Sequence, residues 1–509
     1  MNKSRTDYAI INSSVSAVIF FINTILKFIG RSVFIYFLGK AYLGVNSLFT
    51  SIIGILSLSE LGIGPAIVYS LYKPLAQDDH IKVKSLMVIY KKIYIIIGVI
   101  VTVLGVGLLP FIPNIVGKTN IPNIIWIYLL FLCNSVVSYF FSYNRSLLSA
   151  DQKNYLITIN DFIFSTITQV LQMVILWKTK NFILYLLVAI FFSVLGNIYL
   201  KRRVDKEYSF LSGISPQKLD NETKKELRQN TLGNLIGKIG IVVVMTTDNI
   251  YISLFSGVVN VGLYNNYMLA INAANSLISQ INNSLTGSLG NLSVTENGNK
   301  SYQVFRKNHF INYFITSIFI ISFVYLLNDF IYLWLGKGCQ LPTITIFLII
   351  INYMLLTYRN VVTSFNVAYG LTYHLRWKVF FECGANILFS AFFLIILKLG
   401  LNGVILGTIF STIFVVEWWE PYVLFKYGFK KSFIQFIPCV IRQVISLIVV
   451  IIMVGILLPS FKVYFWWQLI LKAIIVLVLS IVFLSFLFWN SEEMKYMRKL
   501  IFSLLSKLK

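Results

Sequence analysis

Residues 8–38 read YAIINSSVSAVIFFINTILKFIGRSVFIYFL. The stretch exceeds the about 20 mostly apolar residues that a helix needs to cross the hydrocarbon core of a bilayer, so we predict a membrane-spanning helix. Two cations, Lys27 and Arg31, lie inside it one helical turn apart. A charge in hydrocarbon is costly, and such residues usually face a protein interior or a water-filled cavity. The first helix therefore indicates a membrane protein with a site for a negatively charged ligand.

The rest of the sequence continues this pattern. Of its 509 residues, 57% are hydrophobic and only 12% are charged, which excludes an ordinary soluble globule. Apolar runs between polar breaks predict an all-α integral membrane protein of about fourteen transmembrane helices. The predicted spans are 8–38, 43–72, 87–116, 122–148, 155–177, 181–200, 230–256, 259–288, 308–327, 341–369, 379–398, 401–424, 433–459 and 464–489.

The net charge of +24 is a signal of membrane topology rather than of nucleic-acid binding. Lysine and arginine collect in alternate loops, and the loops between them carry few. Cytoplasmic loops of membrane proteins have this excess of basic residues. With an even number of spans, the distribution predicts a multi-pass protein of the inner (cytoplasmic) membrane with both termini in the cytoplasm.

One sizeable hydrophilic stretch separates the sixth predicted span from the seventh. We therefore predict an N-terminal lobe of six helices over residues 1–200 and a cytoplasmic linker over 201–229. A second lobe of six helices over 230–425 and two extra helices with a cytoplasmic tail over 426–509 complete the predicted chain.

A short internal repeat favours two related lobes. The sequence GKAYLG at 39–44 resembles GVVNVG at 257–262, and both glycines of the first copy lie 218 positions before those of the second. Parallel halves of this kind occur in transporters, which bind substrate at the interface between the halves.

Polar residues form stripes along most of the predicted spans, which indicates a hydrated cavity lined by both lobes. Two alternatives stay open: Ser and Asn can join helices by hydrogen bonds alone, and Arg145, near a predicted helix end, could extend to the membrane interface. The candidate cavity residues are Lys27, Arg31, Arg145, Lys238, Arg359, Asn272 and Asn283.

Carboxyl groups inside predicted spans are candidates for coupling to a proton or sodium gradient, because a carboxyl group in such surroundings can exchange a proton near neutral pH. The alternative is that each one only neutralises a nearby cation; Glu60 or Asp248, for example, could pair with Lys27 and Arg31. The candidates for ion coupling are Asp161, Asp248, Glu382 and Glu60.

Motifs for catalysis and for cofactors are missing from the sequence. GKT at 117–119 has the end of a P-loop, but Ile112 stands where that motif requires its first glycine. The four cysteines are scattered without metal-ligand spacing, and the three histidines fall in predicted cytoplasmic loops, where a solvated side chain is the default. We therefore expect no enzyme activity, no metal and no cofactor, with transport driven by an ion gradient or by consumption of the product.

Several motifs resemble one known family. Residues 30–50 read GRSVFIYFLGKAYLGVNSLFT, and LSELGIG at 58–64 is followed by VYSLYKPLA at 68–76. Shorter matches are ADQKNY at 150–155, TDN at 247–249, GLYNNY at 262–267, GN at 290–291, WLG at 334–336 and GVILGT at 403–408. Together they resemble the bacterial polysaccharide-biosynthesis flippases, the Wzx-type members of the multidrug/oligosaccharidyl-lipid/polysaccharide (MOP) exporter superfamily.

The resemblance implies a MATE-like fold of two six-helix lobes with two extra C-terminal helices. It also implies ATP-independent translocation of an undecaprenyl-diphosphate-linked oligosaccharide from the inner to the outer leaflet by alternating access, for capsule, exopolysaccharide or O-antigen synthesis. The diphosphate and sugars would bind in a cationic cavity while the lipid tail stays in the membrane lipid. A polysaccharide polymerase and chain-length machinery are the implied protein partners, and no nucleic acid is implied.

Three alternatives remain at this stage. A flippase for a lipid-linked peptidoglycan precursor would need a similar cationic cavity. A cation-coupled multidrug exporter of the same superfamily would need an acidic, aromatic cavity, which the basic residues in the spans disfavour. A membrane enzyme such as a polymerase would usually carry a large external loop, and the predicted external loops are short.

Overall fold

The computed structural model describes residues 5–57, 63–217, 246–295, 298–458 and 462–507. These residues form helices joined by short turns, with no strand among them. Eleven of the described helices are long and apolar enough to cross a membrane. The all-α, multi-pass membrane architecture predicted from the sequence is therefore confirmed.

The outward faces of these helices are apolar. Leu388, Ile456 and Phe486, for example, are 72%, 77% and 75% exposed. A soluble protein rarely presents so many large apolar side chains together, whereas lipid tails solvate them readily. These surfaces therefore face the hydrocarbon of the membrane.

The first compact unit of the chain ends at Gly262. Within it, α1 packs along α7, and α6 packs against both α4 and α8. The helices are α1 (Arg5–Leu38), α2 (Lys40–Leu56), α3 (Ile63–Ala76), α4 (His80–Gly107), α5 (Ile112–Val116), α6 (Ile124–Ala150), α7 (Asn154–Thr179), α8 (Phe182–Glu207), α9 (246–256) and the start of α10 (Val258–Thr295).

The second unit begins at Leu263. Its core is aromatic around α11 and α13, where Phe305 and Phe365 are almost completely buried with their rings 5.3 Å apart. Its further helices are α11 (Gly298–Leu335), α12 (Thr343–Tyr358), α13 (Asn360–Ala368), α14 (Arg376–Ala391), α15 (Leu401–Ser411), α16 (Glu417–Val423), α17 (Ile437–Leu457), α18 (Trp466–Leu487) and α19 (Glu492–Lys507). Turns of π-helix extend α14, α15 and α16.

The two copies of the sequence repeat have the same backbone geometry at their first residue. Gly39 precedes α2 and Gly257 precedes α10, and both have a φ of 85°. Residues with a Cβ atom rarely adopt this φ, so glycine is required at both helix junctions. The spacing of the repeat therefore corresponds to a repeated helix–glycine–helix connection.

The division into units differs from the predicted lobe boundary at 201–229. Residues 201–207 continue α8, and α9 belongs to the first unit. Hydrogen bonds hold α9 there: the Asn249 amide donates to Ser51 Oγ at 2.7 Å, and the Ser253 hydroxyl donates to the Ile115 carbonyl at 2.7 Å. These polar contacts between distant segments are not visible in a hydropathy pattern.

Candidate functional site

The α1 stripe, defined here as Asn23, Lys27 and Arg31, lies at four-residue intervals and therefore on one helix face. Arg31 is half-buried, and its Nη1 atom is buried with no hydrogen-bond partner among the described residues. The Asn23 Oδ1 atom is buried and unpartnered in the same way, whereas Lys27 is exposed. The stripe thus has two cations that form no ion pair within the described part of the chain.

The position of Arg31 is fixed by the packing of α1 on α7 and α8. One turn after Arg31, the Phe34 ring meets the Tyr185 ring edge-on at 5.3 Å. The backbone carbonyl of Tyr185 accepts a hydrogen bond from the Gln172 amide of α7 at 3.0 Å. A buried guanidinium with an unused donor is costly unless an acceptor is supplied. This geometry therefore suits an anionic ligand with several oxygen acceptors.

Arg145 and Asp161 form an ion pair across α6 and α7. The two guanidinium Nη atoms donate to the two carboxylate oxygens at 2.7 and 2.8 Å, and Arg145 also donates to Asn197 Oδ1 at 3.3 Å. The Arg145 and Asp161 side chains are 32% and 48% exposed. The structure thus joins two residues that the sequence assigned to different roles, and it gives Asp161 a cation partner.

This ion pair lies at one end of a groove between α7 and α8. The groove has a volume of about 390 Å³. Its walls combine hydroxyl and amide groups with two aromatic rings, and include Ser165, Thr168, Gln169, Ser193, Phe164 and Phe192. Hydroxyl and amide groups both donate and accept hydrogen bonds, so this lining matches a ligand rich in hydroxyl groups.

The second unit contains a buried charge cluster, which we define as Arg359, Lys378, Glu382, Glu417 and Glu420. Lys378 Nζ lies 2.8 Å from Glu420 Oε1 and 3.2 Å from Glu382 Oε2. Arg359 Nη1 lies 3.9 Å from Glu382 Oε1, a longer ion pair. Arg359 therefore already faces a carboxylate that an incoming anion would have to displace, whereas Arg31 faces none among the described residues.

Two side chains of α13 donate hydrogen bonds to Glu420. The Thr363 hydroxyl donates to Glu420 Oε2 at 3.1 Å, and the Asn366 amide donates to the Glu420 backbone carbonyl at 3.1 Å. Glu417, one turn earlier, and Arg359 both line a cavity of about 60 Å³. Glu417 Oε1 is buried there without a hydrogen-bond partner in the described part of the chain. Within the described part of the chain, Glu420 thus has several hydrogen-bond partners, whereas Glu417 Oε1 has none.

Three residues of this region are more buried than the sequence indicates. His309 is predicted in a cytoplasmic loop, Lys378 falls just before the predicted span 379–398, and Glu420 falls near the end of the predicted span 401–424. All three are buried inside helices, at 4%, 7% and 3% exposure respectively. The expectation of a solvated side chain is therefore wrong for His309. The four-residue spacing of Lys378 and Glu382 is the one sequence signal that indicates part of the cluster.

The remaining predicted site residues are dispersed. Asn272 is exposed on α10, and Asp248 is buried on α9 at 8% exposure. Lys238, Glu60 and the Asn283 side chain lie outside the described residues. Within the part of the chain that the structure describes, no group of three or more His, Cys, Asp or Glu residues could hold a metal ion.

Comparisons with known proteins identify a family and a fold. The family model described as polysaccharide biosynthesis protein matches residues 10–286, a little more than half of the chain. None of the curated protein sequences compared with the chain matches it.

Solved structures are similar in fold at low sequence identity. The lipid II flippase MurJ in an inward closed conformation is 14% identical, covers 93% of this chain and 98% of its own, and has a TM-score of 0.63. An inward-facing multidrug resistance MATE family transporter of the MOP superfamily is also 14% identical, covers 79% of this chain and 94% of its own, and has a TM-score of 0.61. The predicted MATE-like and MOP-like fold is therefore confirmed.

Proposed function

Because the chain belongs to the polysaccharide biosynthesis protein family, we propose that it is a flippase for lipid-linked oligosaccharide. In this proposal it moves an undecaprenyl-diphosphate-linked repeat unit from the inner to the outer leaflet of the cytoplasmic membrane, with both chain termini in the cytoplasm. The MOP-type fold supports transport rather than catalysis as the basic activity.

The observation that carries the proposal is the guanidinium of Arg31 beside Lys27, which forms no ion pair with any residue that the structure describes. A diphosphate offers several anionic oxygens, which an arginine fork and a lysine point charge bind best where water is partly excluded. Arg31 is half-buried and retains an unpartnered Nη1 atom, while Lys27 is exposed one turn away. The α1 stripe therefore has the charge and the free donor that a diphosphate needs.

The groove between α7 and α8 supports an oligosaccharide as the rest of the headgroup. Sugars bind through hydrogen bonds to their hydroxyl groups together with packing against apolar or aromatic surfaces. Thr168 and Gln169 supply polar groups, and Phe164 and Phe192 supply rings in the same groove. Because α1 packs on α7, the proposed diphosphate and sugar sites share one supporting helix.

The proposed energy source is an ion gradient or removal of the product, since the sequence has no P-loop. Asp161, Asp248, Glu382 and Glu60 stay candidates for the coupling group. Of these, Asp161 pairs with Arg145, and Glu382 belongs to the buried charge cluster. In the same proposal, a polysaccharide polymerase with its chain-length machinery consumes the translocated units and pulls the equilibrium outward.

The test is a reconstituted flipping assay with a fluorescent undecaprenyl-diphosphate-linked oligosaccharide. A membrane-impermeant quencher reports which fraction of the label reaches the outer leaflet of proteoliposomes. We expect transport by the wild-type chain, loss of transport in Arg31→Ala, and normal transport in Arg203→Ala, which removes an exposed arginine near the end of α8.

Two parallel substrates separate the alternatives. Transport of labelled lipid II but not of other lipid-linked oligosaccharides would assign the chain to peptidoglycan precursor flipping. Extrusion of a cationic fluorescent drug, with neither lipid substrate moved, would assign it to drug export and overturn the proposal.

A further inference from the structure

A second basic pocket lies in the first unit, and none of its lining residues lines the groove between α7 and α8 or belongs to the α1 stripe. It has a volume of about 500 Å³ and opens between α4, α6, α8 and the short helical turn Ser209–Ser212. Three lysines line it against a single carboxylate: Lys84, Lys91 and Lys201 face the space together with Asp205. None of these four side chains forms an ion pair within residues 63–217. Counting the lining residues that the structure describes, the pocket therefore has an excess of positive charge.

The pocket also contains a buried donor without an acceptor. Asn144 of α6 lines it and is only 3% exposed, yet its Nδ2 atom has no hydrogen-bond partner among the described residues. Leaving a buried donor unsatisfied is costly, so such atoms in native proteins usually have a partner. A ligand oxygen in the pocket would supply this partner, and the three ammonium groups indicate that the oxygen is anionic.

The wall of the pocket is held in place by contacts across the chain. The Phe210 ring lies 4.0 Å from the His80 ring, which brings the turn after α8 onto the start of α4. Farther along, the Gln217 backbone N–H donates to Ser85 Oγ at 2.8 Å. Tyr208, another lining residue, donates its hydroxyl to Asp151 at 2.6 Å. These contacts fix the positions of the helix ends that form the walls of the cavity.

Apolar surface continues from the pocket toward the membrane interior. On α4, Ile95 follows Lys91 by one turn on the same face and is 37% exposed. On α6, Phe140 precedes Tyr143 by three residues and is 45% exposed. A ligand with a phosphate headgroup in the pocket could therefore lay an acyl chain on this surface. A soluble anion would leave that surface unused.

The location of the pocket fits the same ligand. The start of α4 and the ends of α6 and α8 belong to the basic side of the chain, which the loop charges predict to be cytoplasmic. Basic pockets between transmembrane helices on that side are suited to acidic lipid headgroups. Phosphate oxygens accept hydrogen bonds from ammonium and amide donors alike.

We propose that this pocket binds the phosphate group of an anionic membrane lipid through Lys84, Lys91, Lys201 and the Asn144 amide. The lipid is a bound component of the first unit and not the transported molecule. Its effect is to satisfy Asn144 and to neutralise the three lysines, which holds the ends of α4, α6 and α8 together. The proposal does not depend on the transport activity, because binding is measured directly.

The test is lipid binding to the purified full-length protein in neutral detergent, followed by native mass spectrometry and by thermal unfolding. The probes are phosphatidylglycerol, phosphatidylcholine and inorganic phosphate. Removing one lysine near an acidic lipid is expected to weaken binding about fivefold. The triple variant Lys84→Gln, Lys91→Gln and Lys201→Gln should therefore weaken the tightest phosphatidylglycerol site about 100-fold. The matched control combines Arg202→Gln, Arg203→Gln and Lys206→Gln, which changes the charge equally on the exposed side of α8.

A separate variant tests the buried donor. Asn144→Leu keeps the side-chain volume and removes the amide, so the fold is expected to persist while phosphatidylglycerol binding weakens about fivefold. The wild-type unfolding temperature should rise with phosphatidylglycerol and not with phosphatidylcholine.

Three results would overturn the proposal. The first is equal binding of the two lipids, and the second is an equal loss of binding in the control variant. The third is binding of inorganic phosphate that blocks phosphatidylglycerol and disappears in the lysine variant, which would identify a site for a soluble anion.

Discussion

Gly44 and Gly262 occupy equivalent positions of the sequence repeat, and each lies against the helix that carries the other. A Cβ atom on Gly44 would lie 1.8 Å from the carbonyl oxygen of Val258, at the start of α10. A Cβ atom on Gly262 would lie 2.8 Å from the carbonyl oxygen of Lys40, at the start of α2. Lys40 and Val258 are themselves equivalent in the repeat, so the contact is reciprocal. The repeat is thus retained where its two copies touch.

The first prediction is that Gly44→Ala destabilises the protein. The added methyl group meets backbone, which cannot rotate away, so α2 and the start of α10 must separate. Overpacking of this kind costs about 1–3 kcal/mol and sometimes more. We expect a lower unfolding temperature in detergent and less protein in the membrane. Gly107→Ala is the control, because nothing lies within 4 Å of its added Cβ atom; an equal loss in the control would contradict the prediction.

The second prediction concerns the α1 stripe. Arg31→Ala should abolish surface polysaccharide in cells while the protein remains in the membrane, because the guanidinium is removed from the proposed diphosphate site. Arg31→Lys should restore part of the activity, since a lysine keeps the charge but not the planar fork. Surface polysaccharide and membrane abundance are measured together. Normal polysaccharide in Arg31→Ala, with Arg203→Ala as reference, would rule out the assignment.

The second prediction extends to Arg359: Arg359→Ala should also abolish surface polysaccharide, but through a different local change. It removes one of the two cations that pair with Glu382 and so leaves part of the buried charge cluster unbalanced. Arg359→Ala combined with Glu382→Gln tests this distinction by measuring polysaccharide and unfolding temperature in the same strain. Recovery of stability without recovery of polysaccharide would support a ligand-binding role for Arg359, whereas recovery of both would reduce Arg359 to an ion-pair partner.

Span positions could be predicted wherever an apolar run ends at turn residues. The predicted spans 122–148 and 155–177 correspond to α6 and α7 with small shifts at their ends. The start of α11 could not be predicted in this way, because Arg306 and His309 look like loop residues. Arg306 forms an ion pair with Glu493 of α19. His309 is buried, and its Nδ1 atom lies 3.3 Å from Nε2 of Gln443 on α17. Partners so distant in the sequence leave no local signal.

The candidate site was predictable only where one helix carried it. The α1 stripe follows from four-residue spacing, and the same spacing relates Lys378 to Glu382. The contact between Lys378 and Glu420 joins residues on α14 and α16 and depends on tertiary packing alone. A hydropathy scale also underestimates the burial of a lysine that precedes an apolar run, because it assigns every lysine the value of a solvated charge. Pairing between helices therefore determines which charges are free for a ligand.

The third prediction tests the buried charge cluster directly. Lys378→Met should be strongly destabilising, by about 3–5 kcal/mol, because it leaves the buried Glu420 carboxylate without its cation. Adding Glu420→Gln should recover much of this loss, since the remaining amide carries no charge. Thermal unfolding of the two variants gives the comparison. Equal stability of Lys378→Met and Lys426→Met, the latter removing an exposed lysine, would show that the cluster does not stabilise the fold.

The fourth prediction concerns Lys153, in the turn between α6 and α7. Its Nζ atom lies 2.7 Å from Asp151 and 2.5 Å from Glu207, which connects that turn to the end of α8. Burial alone would lower the pKa of Lys153, but the hydrogen bonds to the two carboxylates outweigh burial and raise the pKa above its ordinary value. A raised pKa means that the ammonium form stabilises the fold below the ordinary lysine pKa, and that this stabilisation is lost as the pH rises through the folded-state pKa.

Lys153→Met should therefore lower the unfolding temperature by a few degrees, since partly exposed pairs contribute only about 1 kcal/mol. The difference from the wild type should stay constant between about pH 6 and pH 9 and shrink only in stronger alkali, where the wild-type lysine also loses its charge. Lys206→Met, on the exposed face of the same end of α8, is the matched control and should leave the unfolding temperature unchanged. A difference that disappears already near neutral pH would show that another titrating group, and not the Lys153 ammonium, connects α8 to the turn.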